Sequence, residues 1–164
     1  LQSDNLVDGG AGFDTLQGSA GDDVLAIANF TNLEAINAGA GTDVLRGSDY
    51  RETWDLSQME LTGLELIDPR GGYDRVTGSQ GDDTFASVGG NILDGQGGQD
   101  TVRYGLNRDD YTVQENNDGS LTVARADGSG NSDTLTNMES VEFADGVYLL
   151  GVSNTNSSFE VDLF

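Results

Sequence analysis

The sequence predicts an all-β fold in which short parallel strands stack as coils and end in a small antiparallel β cap. Three observations predict it: a nine-residue period, 24 glycines with one proline in 164 residues, and two alternating runs joined by Asp-Gly. We divide the chain into parallel coils at 1–103, an antiparallel cap packed on them at 104–150, and a C-terminal tail at 151–164.

The nine-residue period is clearest in two consecutive units, GGAGFDTLQ at 9–17 and GSAGDDVLA at 18–26. Both units have glycine at position four, aspartate at position six and leucine at position eight. Four further units keep this frame, at 38–46, 69–77, 78–86 and 95–103. Looser units are found at 29–37, 47–55, 60–68 and 128–136, and residues 27–28 and 56–59 are insertions in this frame.

Each unit can form one tight turn and one short strand. Glycine accepts positive φ and close approach of neighbouring backbone, so the first six residues can turn. The last three residues can form a strand with one side chain pointing inward. Two units then make one flattened coil, and turns on one side of the coil repeat about every 18 residues.

The position-six carboxylates are candidate metal ligands. Turns stacked at a strand spacing of about 4.8 Å would bring these charges close enough to repel one another. Calcium would remove the repulsion, because it takes six to eight oxygen ligands from carboxylates and backbone carbonyls. The candidate carboxylates are Asp14, Asp23, Asp43, Asp74, Asp83, Asp100 and, from the outlying unit at 128–136, Asp133.

The units resemble the repeats-in-toxin (RTX) nonapeptide, G-G-x-G-x-D-U-x-U, over residues 5–103. The resemblance implies a parallel β-roll with several calcium ions. Each ion would sit between two turns, bound by position-six carboxylates and by carbonyls of the glycine-rich residues. The carbonyls implied in this way belong to Gly9, Ala11, Gly12, Gly18, Ala20, Gly21, Ala38, Ala40, Gly41, Gly78, Gln80, Gly81, Gly95, Gly97 and Gly98.

The intervals between the candidate carboxylates are not equivalent. The pairs Asp83–Asp100 and Asp23–Asp43 join well-formed turns and are expected to give the best sites. Sites that use Asp14 or Asp74 depend on degenerate neighbours and are expected to be less complete. One such neighbour, Glu52, lies in an irregular unit, and we expect its replacement to have little effect.

A second pattern, Thr-[Asn/Gly]-apolar-Glu-x-aliphatic, recurs three times, at 31–36, 62–67 and 136–141. It predicts turns in which an apolar residue replaces the glycine-rich geometry and a glutamate takes the place of the aspartate. We expect these glutamates to be capping or solvated groups rather than ligands.

The regular nine-residue glycine pattern ends at residue 103. Residues 110–115 and 120–125 alternate like strands and are joined by Asn-Asn-Asp-Gly, which predicts a β-hairpin. Residues 142–150 predict another strand, turn and strand. Such a cap would cover the unpaired edge of the last coil.

Composition excludes several functions. The chain has no histidine or cysteine, so histidine- and thiol-based catalytic or zinc sites are excluded. A net charge of −22 excludes the basic surface of a nucleic-acid-binding protein, and no segment predicts membrane insertion. Four aromatic residues are expected to cover the coils or dock the cap, with a sugar-stacking surface as the alternative: Tyr50, Trp54, Tyr73 and Tyr104.

These observations predict a non-catalytic calcium-binding module of a larger protein. The RTX resemblance implies a secreted location, extracellular or at the cell surface, with the type I secretion transporter as partner and the tail at 151–164 as a possible secretion signal. One alternative is a calcium-dependent domain of an adhesin that binds a polysaccharide or another surface ligand. The other is an accessory domain of a secreted enzyme such as a lyase, epimerase, lipase or protease.

Overall fold

A computed structural model describes residues 6–150 of the chain, which form short strands and one turn of 3-10 helix at Arg108–Asp110. The strands are β1 (Leu6–Asp8), β2 (Thr15–Gln17), β3 (Val24–Ala26), β4 (Asn29–Thr31), β5 (Ala35–Asn37), β6 (Val44–Arg46), β7 (Thr53–Asp55), β8 (Glu60–Thr62), β9 (Leu66–Asp68), β10 (Arg75–Thr77), β11 (Thr84–Ser87), β12 (Ile92–Asp94), β13 (Thr101–Tyr104), β14 (Tyr111–Glu115), β15 (Leu121–Arg125), β16 (Asp133–Thr136), β17 (Ser140–Phe143) and β18 (Gly146–Leu149).

The strands stack in parallel, which confirms the predicted fold class. The longest parallel stack runs β3, β6, β9, β11, β13, β17, and a second runs β7, β10, β12, β16. Two shorter stacks, β2-β5-β8 and β1-β4, complete the N-terminal coils. Each stack therefore forms one face of a β-roll.

The roll changes its cross-section along its axis. Position-six residues of stacked turns are 20 residues apart near the N-terminus, at Asp23 and Asp43, but 17 apart at Asp83 and Asp100. The predicted flattened coil of two units therefore describes only the C-terminal half of the roll. The N-terminal coils are longer because each contains one more strand, and these strands, β2, β5 and β8, stack as a third face that the C-terminal coils lack.

The core is a column of inward-facing residues from the strands. Leu45, Val76, Phe85, Leu93 and Val102 are completely buried. Each strand points its middle side chain inward, as the two-residue alternation of a strand requires.

Trp54 fills the wider N-terminal part of this core. Its side chain is buried, its ring centroid lies 6.5 Å from that of Phe30, and its Nε1 donates to the Ala28 carbonyl at 3.0 Å. Trp54 therefore belongs to the core, as does the buried Tyr104. Tyr50 and Tyr73 are exposed instead.

The cap begins as predicted but the roll does not end at residue 103. β14 and β15 form the expected antiparallel hairpin, and β17 and β18 form the second antiparallel pair. However, β16 and β17 pair in parallel with β12 and β13, so the roll resumes after the hairpin. The boundary at residue 103 needs this correction because the unit at 128–136 keeps an inward leucine, Leu135.

The second sequence pattern forms turns with a left-handed residue. Asn32, Gly63 and Asn137 have φ of 50°, 62° and 50°. Glycine and asparagine tolerate this region best, which explains their alternation at this position. Asn32 and Asn137 also donate through Nδ2 to Asp8 and Asp94 on the preceding coil, at 2.9 and 2.8 Å.

Candidate metal sites

The position-six residues form hydrogen-bonded ladders along the roll. The backbone N–H of one such residue donates to the side chain of the next one in the stack. Three of these bonds join Asp23 to Asp43 at 2.7 Å, Glu52 to Asp74 at 2.7 Å, and Asp83 to Asp100 at 2.8 Å. The sequence-predicted carboxylates are therefore brought into register by the backbone.

Glutamates of the second pattern receive these N–H groups at three positions. Glu34, Glu65 and Glu139 accept from the backbone N–H of Asp14, Asp43 and Asp100 at 2.8, 2.7 and 2.7 Å. This is the capping role expected from the sequence. The longer side chain lets a glutamate reach the preceding coil from a shorter turn.

The glycine-rich turns are of two kinds. In the first kind, which we call serine turns, the backbone N–H of the serine at position two donates to the carboxylate at position six. The distances are 2.6 Å from Ser19 to Asp23, 3.2 Å from Ser48 to Glu52 and 2.6 Å from Ser79 to Asp83. The serine turns are residues 18–23, 47–52 and 78–83.

The second kind, which we call open turns, leaves one carboxylate oxygen without a partner. Their residues at positions two and four have positive φ, for example 110° at Gly39 and 146° at Gly41. The buried Oδ2 atom of the position-six aspartate accepts no hydrogen bond in any of them: Asp14, Asp43, Asp74 and Asp100. The open turns are residues 9–14, 38–43, 69–74 and 95–100.

Serine turns and open turns stack in pairs. The first strand residue after the open turn donates its N–H to the position-six carbonyl of the serine turn. These bonds run from Val44 to Asp23, from Arg75 to Glu52, and from Thr101 to Asp83, at 2.9, 3.1 and 2.9 Å. The three stacked pairs are 18–23 with 38–43, 47–52 with 69–74, and 78–83 with 95–100.

Two of the open-turn carboxylates, Asp74 and Asp100, lie in environments that disfavour their charged form. Burial raises the pKa of Asp74 to about 6, and the neighbouring charge of Glu52 adds to the shift. Burial raises the pKa of Asp100 to about 7, with further contributions from the charges of Asp83 and Glu139. A bound cation would relieve this repulsion, and protons would compete with it for the same oxygens.

The stacked pairs fit calcium. A buried anionic oxygen without a hydrogen-bond partner is costly unless a cation or another donor satisfies it. Among residues 6–150, no group of three or more histidine, cysteine, aspartate or glutamate side chains could hold a metal ion by itself. Backbone carbonyls or water must therefore supply the remaining ligands, and calcium accepts both.

Comparison with protein families decides the nature of the turns. Residues 2–26 and 70–91 match the RTX calcium-binding nonapeptide repeat, in 4 copies. The chain carries RTX calcium-binding nonapeptide repeats. These repeats bind calcium ions and form a β-roll. A comparison with curated proteins finds no match.

The family match covers only part of each stacked pair. It includes the serine turns at 18–23 and 78–83 and nearly all of the open turn at 69–74. It does not include the turns that stack on these three, which are 38–43, 95–100 and 47–52 respectively. The RTX geometry therefore extends beyond the residues that match by sequence. Each residue whose carbonyl was predicted from the sequence to bind calcium lies in one of the three stacked pairs, except Gly9, Ala11 and Gly12.

Asp133 occupies a different environment from the other predicted ligands. Its Oδ1 accepts the Asn91 N–H at 2.7 Å and its Oδ2 accepts the Tyr104 hydroxyl at 2.6 Å. Both oxygens of this fully buried carboxylate thus have protein partners. We therefore no longer propose Asp133 as a metal ligand, because the Asn91 N–H and the Tyr104 hydroxyl satisfy its oxygens. No pattern in the sequence indicated Tyr104 as its partner.

Asp14 has the degenerate neighbour expected from the sequence, whereas Glu52 differs from expectation. The open turn of Asp14 stacks on the short turn containing Glu34, so within the described residues it has no serine-turn partner. Glu52 is buried and has the same ladder position as Asp23 and Asp83, although its unit is irregular in sequence. The expectation that its replacement has little effect is therefore withdrawn.

Proposed function

We propose that this chain is a calcium-dependent folding module of a larger secreted or surface protein, exported by a type I system and folded outside the cell. The partnerless, buried Oδ2 atoms of Asp43, Asp74 and Asp100 carry the proposal. They make the folded roll unfavourable without a cation and favourable with one. The part of the chain that the structure describes contains no helical segment with the length and hydropathy of a membrane span.

Calcium concentration sets the folding equilibrium in this proposal. Extracellular calcium modules bind with Kd of about 10⁻⁴–10⁻³ M. At roughly 1 mM calcium and a Kd of about 0.1 mM, each site stabilises the folded state by about 1.4 kcal/mol. Three sites would contribute about 4 kcal/mol, a large share of the 5–15 kcal/mol stability of an ordinary domain. At submicromolar cytosolic calcium this stabilisation vanishes, and a net charge of −22 favours the unfolded chain.

A second function, calcium-dependent binding of a surface ligand, is favoured by one observation. Tyr50 and Tyr73 are exposed on turns that stack on each other, and aromatic faces are suited to stacking on sugar rings. Binding to a glycan array in calcium, abolished by EDTA, would support this function over a module that serves folding alone.

Export is tested by removing the end of the chain. The predicted secretion signal at 151–164 lies outside the described residues. Deleting residues 155–164 should abolish export of a fused passenger through a type I transporter and leave calcium-induced folding of the purified chain unchanged. Export is measured in culture supernatant and folding by circular dichroism. Retained export with impaired folding would show that the tail belongs to the fold and not to a signal.

A further inference from the structure

We infer that the turns at 47–52 and 69–74 form a calcium site in which Glu52 replaces the usual aspartate. The inference rests on the proposed calcium-binding function and assigns a site to a turn that the RTX family match does not include. It also identifies the serine at position two as the residue that positions the carboxylate of its turn.

Two unpartnered oxygens face this pair of turns. Glu52 and Asp74 are 3 % and 1 % exposed, and neither Oε2 of Glu52 nor Oδ2 of Asp74 has a hydrogen-bond partner. The other oxygens of the two side chains are held by the protein. Oε1 of Glu52 accepts from the backbone N–H and hydroxyl of Ser48, and Oδ1 of Asp74 accepts from the Glu52 N–H at 2.7 Å.

Ser48 gives this turn the same geometry as the two serine turns that match the RTX repeat. Its Oγ accepts the Tyr50 N–H at 3.1 Å, as the Oγ atoms of Ser19 and Ser79 accept the Gly21 and Gly81 N–H at 3.3 and 3.1 Å. The same turn therefore forms although its sequence, GSDYRE, lacks the glycine at position four and the aspartate at position six.

The backbone conformation of serine turns explains why the turn at 47–52 needs no glycine at position four. Position four has positive φ in open turns, including 143° at Gly72, but not in serine turns, where Gly21, Tyr50 and Gly81 occupy it. A residue with a side chain is therefore tolerated at Tyr50 without strain. What defines a serine turn is a serine at position two and a carboxylate at position six.

An ion pair also links the two turns. The guanidinium of Arg70 in the open turn lies 3.2 Å from Asp49 Oδ1 in the serine turn. Both side chains are largely exposed, so the pair adds little stability. Because the Arg70 guanidinium pairs with Asp49 outside the site, it leaves the buried carboxylates of Glu52 and Asp74 for a cation.

The inference is tested by counting bound calcium ions in the full 164-residue chain by native mass spectrometry at saturating calcium. Glu52→Gln keeps the shape of the side chain but removes its charge, and we expect it to bind one ion fewer than the wild-type chain. Asp100→Asn should also bind one ion fewer, and the double variant two fewer. The matched control is Glu60→Gln on β8, an exposed glutamate, which should keep the wild-type count.

The outcomes separate this inference from the proposed function. A wild-type count in Glu52→Gln together with a reduced count in Asp100→Asn would overturn the inference and leave calcium binding intact. No bound calcium in the wild-type chain would overturn the proposed function itself.

Terbium luminescence locates the ion independently of the count. Within the three stacked pairs of turns, aromatic residues occur only at Tyr50 and Tyr73, so terbium in this pair should be sensitised by tyrosine. Replacing both tyrosines by phenylalanine should reduce the emission without changing the calcium count. Full emission in Glu52→Gln would contradict a site at this position.

Discussion

In EDTA the chain should give the circular dichroism of a largely disordered polypeptide, and millimolar calcium should restore the β signal cooperatively. The reason is that each open turn buries a carboxylate oxygen with no partner, and that these carboxylates lie next to other negative charges along the ladders. Without a cation, the folded chain must either protonate these groups or bear their repulsion. The fluorescence of Trp54, the only tryptophan, reports the same transition from the core of the roll.

Magnesium is the control for this prediction. It demands near-ideal octahedral geometry and retains its water, so turns that offer one or two carboxylates and backbone carbonyls suit it poorly. We expect magnesium at the same concentration to restore little of the β signal. Equal β signal in EDTA and in calcium would contradict calcium-dependent folding.

Gly98→Ala should abolish calcium-induced folding of the C-terminal coils. Gly98 has φ of 129°, and a Cβ placed on it would lie 2.6 Å from the main-chain carbon of Gly81 in the stacked serine turn. The strained backbone conformation alone costs of the order of 1–3 kcal/mol for a residue with a side chain. The main-chain contact would also push the two turns apart and disrupt the site between them.

The matched control is Gly105→Ala, because Gly105 has no positive φ and a Cβ there would meet nothing within 4 Å. We expect the control to fold at the wild-type calcium concentration. Calcium titrations followed by circular dichroism compare the two variants. Indistinguishable midpoints for Gly98→Ala and wild type would show that the close stacking of 78–83 on 95–100 is not needed for folding.

The sequence contained enough information to predict the repeat, the stacking of the position-six carboxylates and the cap hairpin. The position-six aspartates recur in one frame, and the frame fixes which carboxylates meet. The asparagine or glycine of the second pattern likewise corresponds to the left-handed residue of its turn, as at Asn32 and Gly63. These features are specified by the residues within each unit together with the repetition of the unit along the chain.

Features that depend on contacts between coils could not be predicted in this way. The unit of Glu52 appeared irregular because the repeat was recognised by glycine at position four and aspartate at position six. Its turn is defined instead by Ser48 and by stacking on residues 69–74. Asp133 matched the frame but is held by Tyr104, which lies 29 residues away. The third face of the N-terminal coils was not predicted, because strands of three residues such as β5 carry no periodicity of their own.

The most direct test of this account is a crystal structure of the chain grown in calcium, with the metal located by its anomalous signal. We predict ions between the stacked serine and open turns, about 2.3–2.6 Å from Oδ2 of Asp43, Asp74 and Asp100. An ordered roll in which these three oxygens have no metal, or in which the ions lie only outside the stacked turns, would contradict it.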